Sequence, residues 1–172
     1  MLKAIAILFG ITLIPGLELR ASIPMGILGG ESIDAPMAWP TVVLTCVISN
    51  ILIGWAFFWI LGPVVKFFRR VGFIDRLLAK YLDSAQRRLK PNVEKYGFWG
   101  LAIFIGIPLP LTGAYSGAAG AYALGMETKR FMLANVVGVL IAAVCVTIIT
   151  LLIRAGIGTD FVLFDWLIKN KS

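Results

Sequence analysis

The chain has 172 residues, 59% of them hydrophobic and 15% charged, where a soluble domain carries about a quarter charged. It contains no histidine, which removes imidazole acid–base catalysis, histidine metal ligands and a histidine proton relay. The net charge is +7, yet nine of the sixteen basic residues lie between Lys66 and Lys95; this local patch lacks the basic-aromatic interleaving of a nucleic-acid binder.

The first apolar run, Leu2 to Ile14, reaches about 20 Å as a helix before Pro15-Gly16 stops it. It imitates a signal peptide, but Glu18 and Arg20 follow in place of a small-residue cleavage pattern, so it is expected to be retained. A second short leg, "RASIPMGILGG", comes next, and Glu31 and Asp34 beside Pro36 and Pro40 read as solvated. Val42 to Val65 is the first full span, roughly 35 Å long, against a bilayer core of about 30 Å. The basic stretch follows. Within it Ile74, Leu77, Leu78, Tyr81, Leu82, Ala85 and Leu89 recur at helical spacing, with Arg76, Lys80, Asp83 and Arg87 on the other faces. That pattern predicts an amphipathic helix lying on the membrane surface. Phe98 to Ile107 is again too short to cross and ends in "PLPLTG", Pro108 to Gly113. "AYSGAAGAYALG" is the return leg, and Phe131 to Ile153 the second full span. The tail from Phe161 is too short to span, and Trp166 and Lys169 suit an interface. Cys46 and Cys145 fall inside apolar runs and read as buried hydrophobes, not a disulfide framework.

Each half therefore has one order: short leg, proline-glycine break, short leg, full span. "LFGITLIPGLELRASIPMGILGG" aligns with "LAIFIGIPLPLTGAYSGAAGAYA" when Pro15 is set on Pro108. Broken backbone at membrane depth is tolerated only where protein or a wet cavity surrounds it, and paired broken segments point to a transport site. Kinked spanning helices are the alternative, against which stand the closely spaced breakers Pro15, Gly16 and Pro24 in the first half and Pro108, Pro110, Gly113, Gly117 and Gly120 in the second. The basic excess puts residues 66–95 in the cytoplasm, with Lys129 and Arg130 on the same side. The halves are then oppositely oriented. The expected fold is an all-α integral membrane protein, multi-pass in the cytoplasmic membrane. It is an inverted repeat of re-entrant helical hairpin plus transmembrane helix, with a cytoplasmic amphipathic helix between the halves. One membrane domain covers 1–172: repeat 1 at 1–68, linker at 69–95, repeat 2 at 96–156 and interfacial tail at 157–172.

In this arrangement Glu18 and Arg20 sit at the first tip, where ionisable groups must pair or line a wet cavity. The second tip offers Thr112 and the free N–H groups of the following leg. A helix N-terminus with Arg20 makes an anion site suited to phosphate, and Glu18 is left as a proton acceptor. Asn50 and Asn135 lie within the spans, either bonding the hairpins or joining helix to helix. Gly117, Ala118 and Ala121 suit close packing. No nucleotide loop, metal cluster or catalytic centre appears, so neither an enzyme nor a cofactor is expected.

"ELRASIPMGI" and "IPLPLTGAYSGAAGAYALG" resemble the two motif blocks of the small multidrug export family, within the DedA superfamily, over nearly the whole chain. The resemblance implies two facing re-entrant loops. Glu18, Arg20 and Pro24 take first-loop positions, and Pro108, Pro110, Thr112 and Gly113 second-loop positions. It also implies movement of lipids between leaflets, undecaprenyl phosphate among them, or proton-coupled drug tolerance. The leading expectation is a transporter or flippase of an anionic lipid or amphiphile, with membrane lipids, lipid phosphates and protons as partners and a homo-oligomer left open. A proton-coupled exporter of cationic amphiphiles is the alternative, and a structural or assembly protein without transport is the third.

Overall fold

Proline and glycine decide where the apolar stretches stop being helix. The computed structural model describes residues 2–29, 38–68, 72–109 and 112–155, which form helices and turns with no strand among them. α1 (Leu2–Thr12) stops just ahead of Pro15-Gly16, and Gly16 takes φ 90°, a left-handed turn that glycine adopts freely. α2 (Glu18–Leu28) folds back along α1. Pro24 lies inside α2 and does not break it, contrary to its reading as one of the breakers. The proline removes one donor, while Leu19, Ile23 and Ile27 on either side of it are fully shielded by neighbouring helices. A membrane helix tolerates proline where such neighbours hold it.

Among the described residues, α3 (Trp39–Phe68) and α7 (Thr128–Arg154) are the two helices long and apolar enough to cross a membrane, by length and composition. Their outer faces are apolar and bare. Leu44 is 62% exposed, Trp59 66%, and Leu133 63%. A soluble core helix would have covered such rows. Their inner faces meet through small residues. A methyl at Gly54 would lie 2.7 Å from Asn135 Nδ2, so α7 seats its asparagine directly on the α3 backbone. Asn135 Nδ2 donates to Ile51 O at 3.3 Å, Trp55 Nε1 donates to Met132 O at 3.4 Å, and Phe58 stacks on Phe131 at 4.4 Å. Rising numbers on α3 meet falling numbers on α7, so the two run antiparallel.

α4 (Gly72–Tyr96) joins them, at the predicted linker position. Its apolar ridge, however, is packed on protein. Ala85 and Leu89 are buried, and a methyl on Gly120 of α6 would sit 2.9 Å from Leu89 Cδ2. Leu82 joins a small core with Leu61, Ala119, Phe57 and Tyr122. Over Leu82, Ala85 and Leu89 the ridge expected to lie on the membrane surface is laid against the bundle, because an apolar ridge meets small residues as readily as lipid. Leu77 stays exposed beside it, and Tyr81 is about half covered, at 43% exposure.

α5 (Phe98–Gly106) and α6 (Ala114–Ala123) form the second short pair. α5 lies along α7, where a methyl on Gly138 would come 2.6 Å from Ile105 Cβ, and one on Gly106 would come 2.9 Å from Ile141 Cγ2. Gly117 of α6 sits equally close to Ile105. The glycines and alanines of this leg are packing residues, as their size suggests. Each short pair therefore turns at a level near the middle of a long helix. The α1–α2 turn lies by Asn50 of α3 and the α5–α6 turn by Gly138–Ile141 of α7. The predicted solvated segment at Glu31, Asp34 and Pro36, and the tail bearing Trp166 and Lys169, lie outside the described residues.

Candidate functional site

The two turns meet, and they meet through charge. Glu18 opens α2 with φ 43°, a left-handed backbone that a non-glycine residue holds at a cost of about 1–3 kcal/mol. Its side chain is buried and reaches across to the other pair. Oε2 accepts from the backbone N–H of Ala114 at 3.1 Å and Oε1 from that of Tyr115 at 3.4 Å. Asn50 Nδ2 donates to Oε2 at 3.4 Å. α6 has no cap from its own N-cap residue, Gly113. Glu18 supplies that cap from a helix 96 residues away in sequence. A carboxylate there satisfies orphan donors and lies at the positive end of the helix dipole.

Arg20 does the opposite job on the neighbouring helix end. Its guanidinium donates to Leu109 O, to Ile107 O at 3.2 Å, and to Thr112 Oγ1 at 2.7 Å. These oxygens lie just past the C-terminus of α5, where carbonyls lack helical partners and carry partial negative charge. Thr112 Oγ1 lies 2.7 Å from Ile107 O and 2.8 Å from Leu109 O, so its own proton goes back to the same loop. Tyr115 closes the contact by donating its hydroxyl to Leu13 O at 2.7 Å. The carboxylate and guanidinium of "ELR" thus grip the two free helix ends of the opposite turn, not one another.

At the expected anion site the donors have partners within the protein. The α6 N-terminus and Arg20 do come together at the predicted place, but their donors are already occupied by Glu18 and by loop oxygens. Gly113 fits the arrangement on two counts. It holds φ 119°, and a methyl on it would come 2.6 Å from Glu18 Oε2. Glycine is the residue that lets the carboxylate approach.

Of the predicted residues, Glu18, Arg20, Asn50, Thr112 and Gly113 are brought together. Pro108 lies in the loop that Arg20 holds, between Ile107 and Leu109. Pro24 stands in the body of α2, six residues from Glu18 and away from the contact. Asn135 belongs to the α3–α7 crossing, the helix-to-helix alternative. Pro110 lies outside the described residues. Ser22 and Thr12 pin the first turn from behind. Their hydroxyls lie 3.0 Å apart, with Thr12 Oγ1 2.7 Å from Leu8 O and Ser22 Oγ 3.0 Å from Glu18 O.

Sequence reasoning missed Tyr115 and the contribution of α4. A cavity of about 280 Å³ opens beside the contact, walled by Glu18, Thr112, Tyr115 and Ser116, and on α4 by Tyr81, Ser84 and Arg88. Burial pushes the Tyr81 phenol above its usual range, the nearby Glu18 carboxylate pushes it further, and Arg88 pulls it back. Residues 81, 84, 85 and 88 share one helical face. That spacing was present in the sequence, but Tyr81 and Ala85 were read there as part of an apolar ridge. No group of histidine, cysteine or carboxylate side chains that could hold a metal occurs among the described residues.

No curated protein and no solved structure matches the chain. The profile of the family described as "Putative small multi-drug export protein" matches residues 18–145, from the capping glutamate to the middle of the last span. That match includes both halves of the turn-to-turn contact and most of the two apolar spans, so the chain is a membrane protein belonging to the small multidrug export family.

Proposed function

We propose that the protein is a proton-coupled exporter of small amphiphiles, in which the ionisation of Glu18 locks two re-entrant hairpins together inside the bilayer. The antiparallel α3 and α7, with a short helical pair turning near the middle of each, support an inverted repeat. The same facing turns support a place for the family in the DedA superfamily. The positive-inside rule supports a cytoplasmic α4 in the cytoplasmic membrane.

The observation that carries the reading is the buried carboxylate closing the N-terminus of α6. An ionised Glu18 accepts three hydrogen bonds from the α6 N-terminus and Asn50. Bonds to a charged group are worth about 1.5–3 kcal/mol each, more than the left-handed backbone of Glu18 costs. Protonation removes the charge while the backbone cost stays. The balance at the turns then shifts toward separation. Arg20 on α2, Tyr81 and Arg88 on α4, and Tyr115 on α6 are the ionisable groups around it. A cationic amphiphile and a proton would compete for the same carboxylate, which is the coupling an antiporter requires. Two states biased by differential binding suffice for such coupling. An anionic-lipid flippase loses support here, since the donors it would use are engaged within the protein.

The test is efflux of a fluorescent organic cation, ethidium, from proteoliposomes under an imposed pH gradient. Wild type should respond to the gradient, and Glu18→Gln should not, while remaining monodisperse. Arg20→Lys should also be impaired, because one ammonium cannot replace a planar fork on three oxygens. A parallel arm follows fluorescent phospholipid and lipid phosphate. Lipid movement without ethidium efflux would overturn the drug reading in favour of the flippase. Silence in both arms from folded protein would favour a non-transporting membrane component.

A further inference from the structure

We infer that the cavity between α4 and the two turns is the water entrance through which Glu18 exchanges its proton on α4's face, with Arg88 as its cation-excluding rim. The inference rests on the proton role proposed for Glu18. A buried carboxylate that changes protonation must touch water by some route, and Glu18 itself lines this cavity. The walls suit water. Thr112, Tyr115 and Ser116 come from the second turn and α6, and Ser84 comes from α4. Pro15 and Gly16 form the near edge and are exposed.

α4 presents two adjacent stripes, and they do different work. Ala85 and Leu89 pack on Gly120, and Leu82 packs beside them. Tyr81, Ser84 and Arg88, one turn apart along the helix, face the cavity. The packed stripe holds the lining stripe in place over the turns. Arg88 differs from its basic neighbours. Arg87 pairs with Asp83 at 3.0 Å and Lys90 with Glu94 at 3.6 Å, whereas Arg88 has no carboxylate partner among the described residues. Its charge is left to act on the entrance. Arg20, the other cation nearby, is engaged by loop oxygens. A guanidinium with no ion-pair partner at the mouth raises the local potential there, so cations are repelled and anions are admitted. The upward shift of the Tyr81 phenol agrees, since it places Glu18 and Arg88 within electrostatic reach of one side chain. α4 therefore serves as one wall of the site and not only as a connector.

Thiol labelling tests this in the full-length protein in liposomes, with Cys46 and Cys145 replaced by alanine. Ser84→Cys and, from the opposite wall, Ser116→Cys are treated with methanethiosulfonate reagents carrying a sulfonate or a trimethylammonium. Both cysteines should react; relative to each reagent's rate with a free thiol in solution, the sulfonate should be favoured roughly threefold at low salt, and Arg88→Gln should abolish that preference. Modification at Ser84→Cys should stop pH-driven ethidium efflux. If both cysteines are inert in protein whose efflux still depends on Glu18, this entrance is refuted while the exporter reading stands. If both react but with equal relative rates whether or not Arg88 is present, the rim role is refuted. If labelling follows the pattern but Glu18→Gln leaves pH-driven efflux unchanged, the cavity is an aqueous vestibule and its role as a proton route falls with the exporter reading.

Discussion

At Gly113 the fold asks for two things that other residues lack. Its φ of 119° with ψ −171° is a region essentially reserved for glycine, costing other residues about 1–3 kcal/mol. A methyl there would also strike Glu18 Oε2. Gly113→Ala should therefore weaken the contact between the turns and lower thermal stability, with efflux falling in parallel; a scan of Tm against efflux rate checks this. Asn50 makes a sharper case. Its Nδ2 serves the ionised Glu18, while its buried Oδ1 has no partner. Leaving a buried carbonyl unpaired costs about 1–3 kcal/mol. A half-turn of the amide would present that oxygen to a protonated Glu18, so Asn50 can serve both states. Asn50→Leu should move the pH midpoint of efflux upward, because the ionised form loses a donor. A purely structural asparagine would change stability and leave the midpoint alone. The charged pair was legible as an anomaly in an oily segment, and the opposed turns followed from the prolines. What Glu18 and Arg20 hold was not legible. Most of their partners are backbone N–H and C=O groups, which every residue carries, and Asn50, Thr112 and Gly113 are the residues that mark the place.

Between helices, legibility depended on whether the signal was length or partner. Hydropathy placed α3 and α7 to within about three residues of their ends, an ordinary error for helix boundaries. It also found both short pairs from their breakers. It overread Pro24, because a proline inside a supported helix loses one bond without ending it. It missed what α4 packs on, since period 3.6 shows that a helix has an apolar side and not what covers that side. Gly120 holds the answer. Its missing side chain lets Leu89 and the Ala85 carbonyl close to about 3 Å of where a methyl would stand. Gly120→Leu should lift α4 from α6 at a cost of about 1–3 kcal/mol of overpacking. Hydrogen exchange should then rise along α4 around Ala85–Leu89, with little change in the α3–α7 crossing. Equal exchange in both variants would mean that α4 is not held by this seam.

Across the whole molecule, two antiparallel spans carry two short helical pairs whose turns bind each other by opposite charges on opposite helix ends. Glu18 is the member of that contact whose charge a proton can remove. Spin labels at Leu17 and Leu109, both exposed, report the separation of the turns without replacing any bonding side chain. Their distance distribution in liposomes, recorded from alkaline to acid pH in wild type and Glu18→Gln, is the most direct measurement. Locking by the ionised carboxylate predicts one short distance at alkaline pH in wild type, a longer or broader distribution on acidification, and the acid-type distribution at every pH in Glu18→Gln. A single unchanged distance in both proteins across the range would contradict it, and the charged turn would then be a fixed structural clasp.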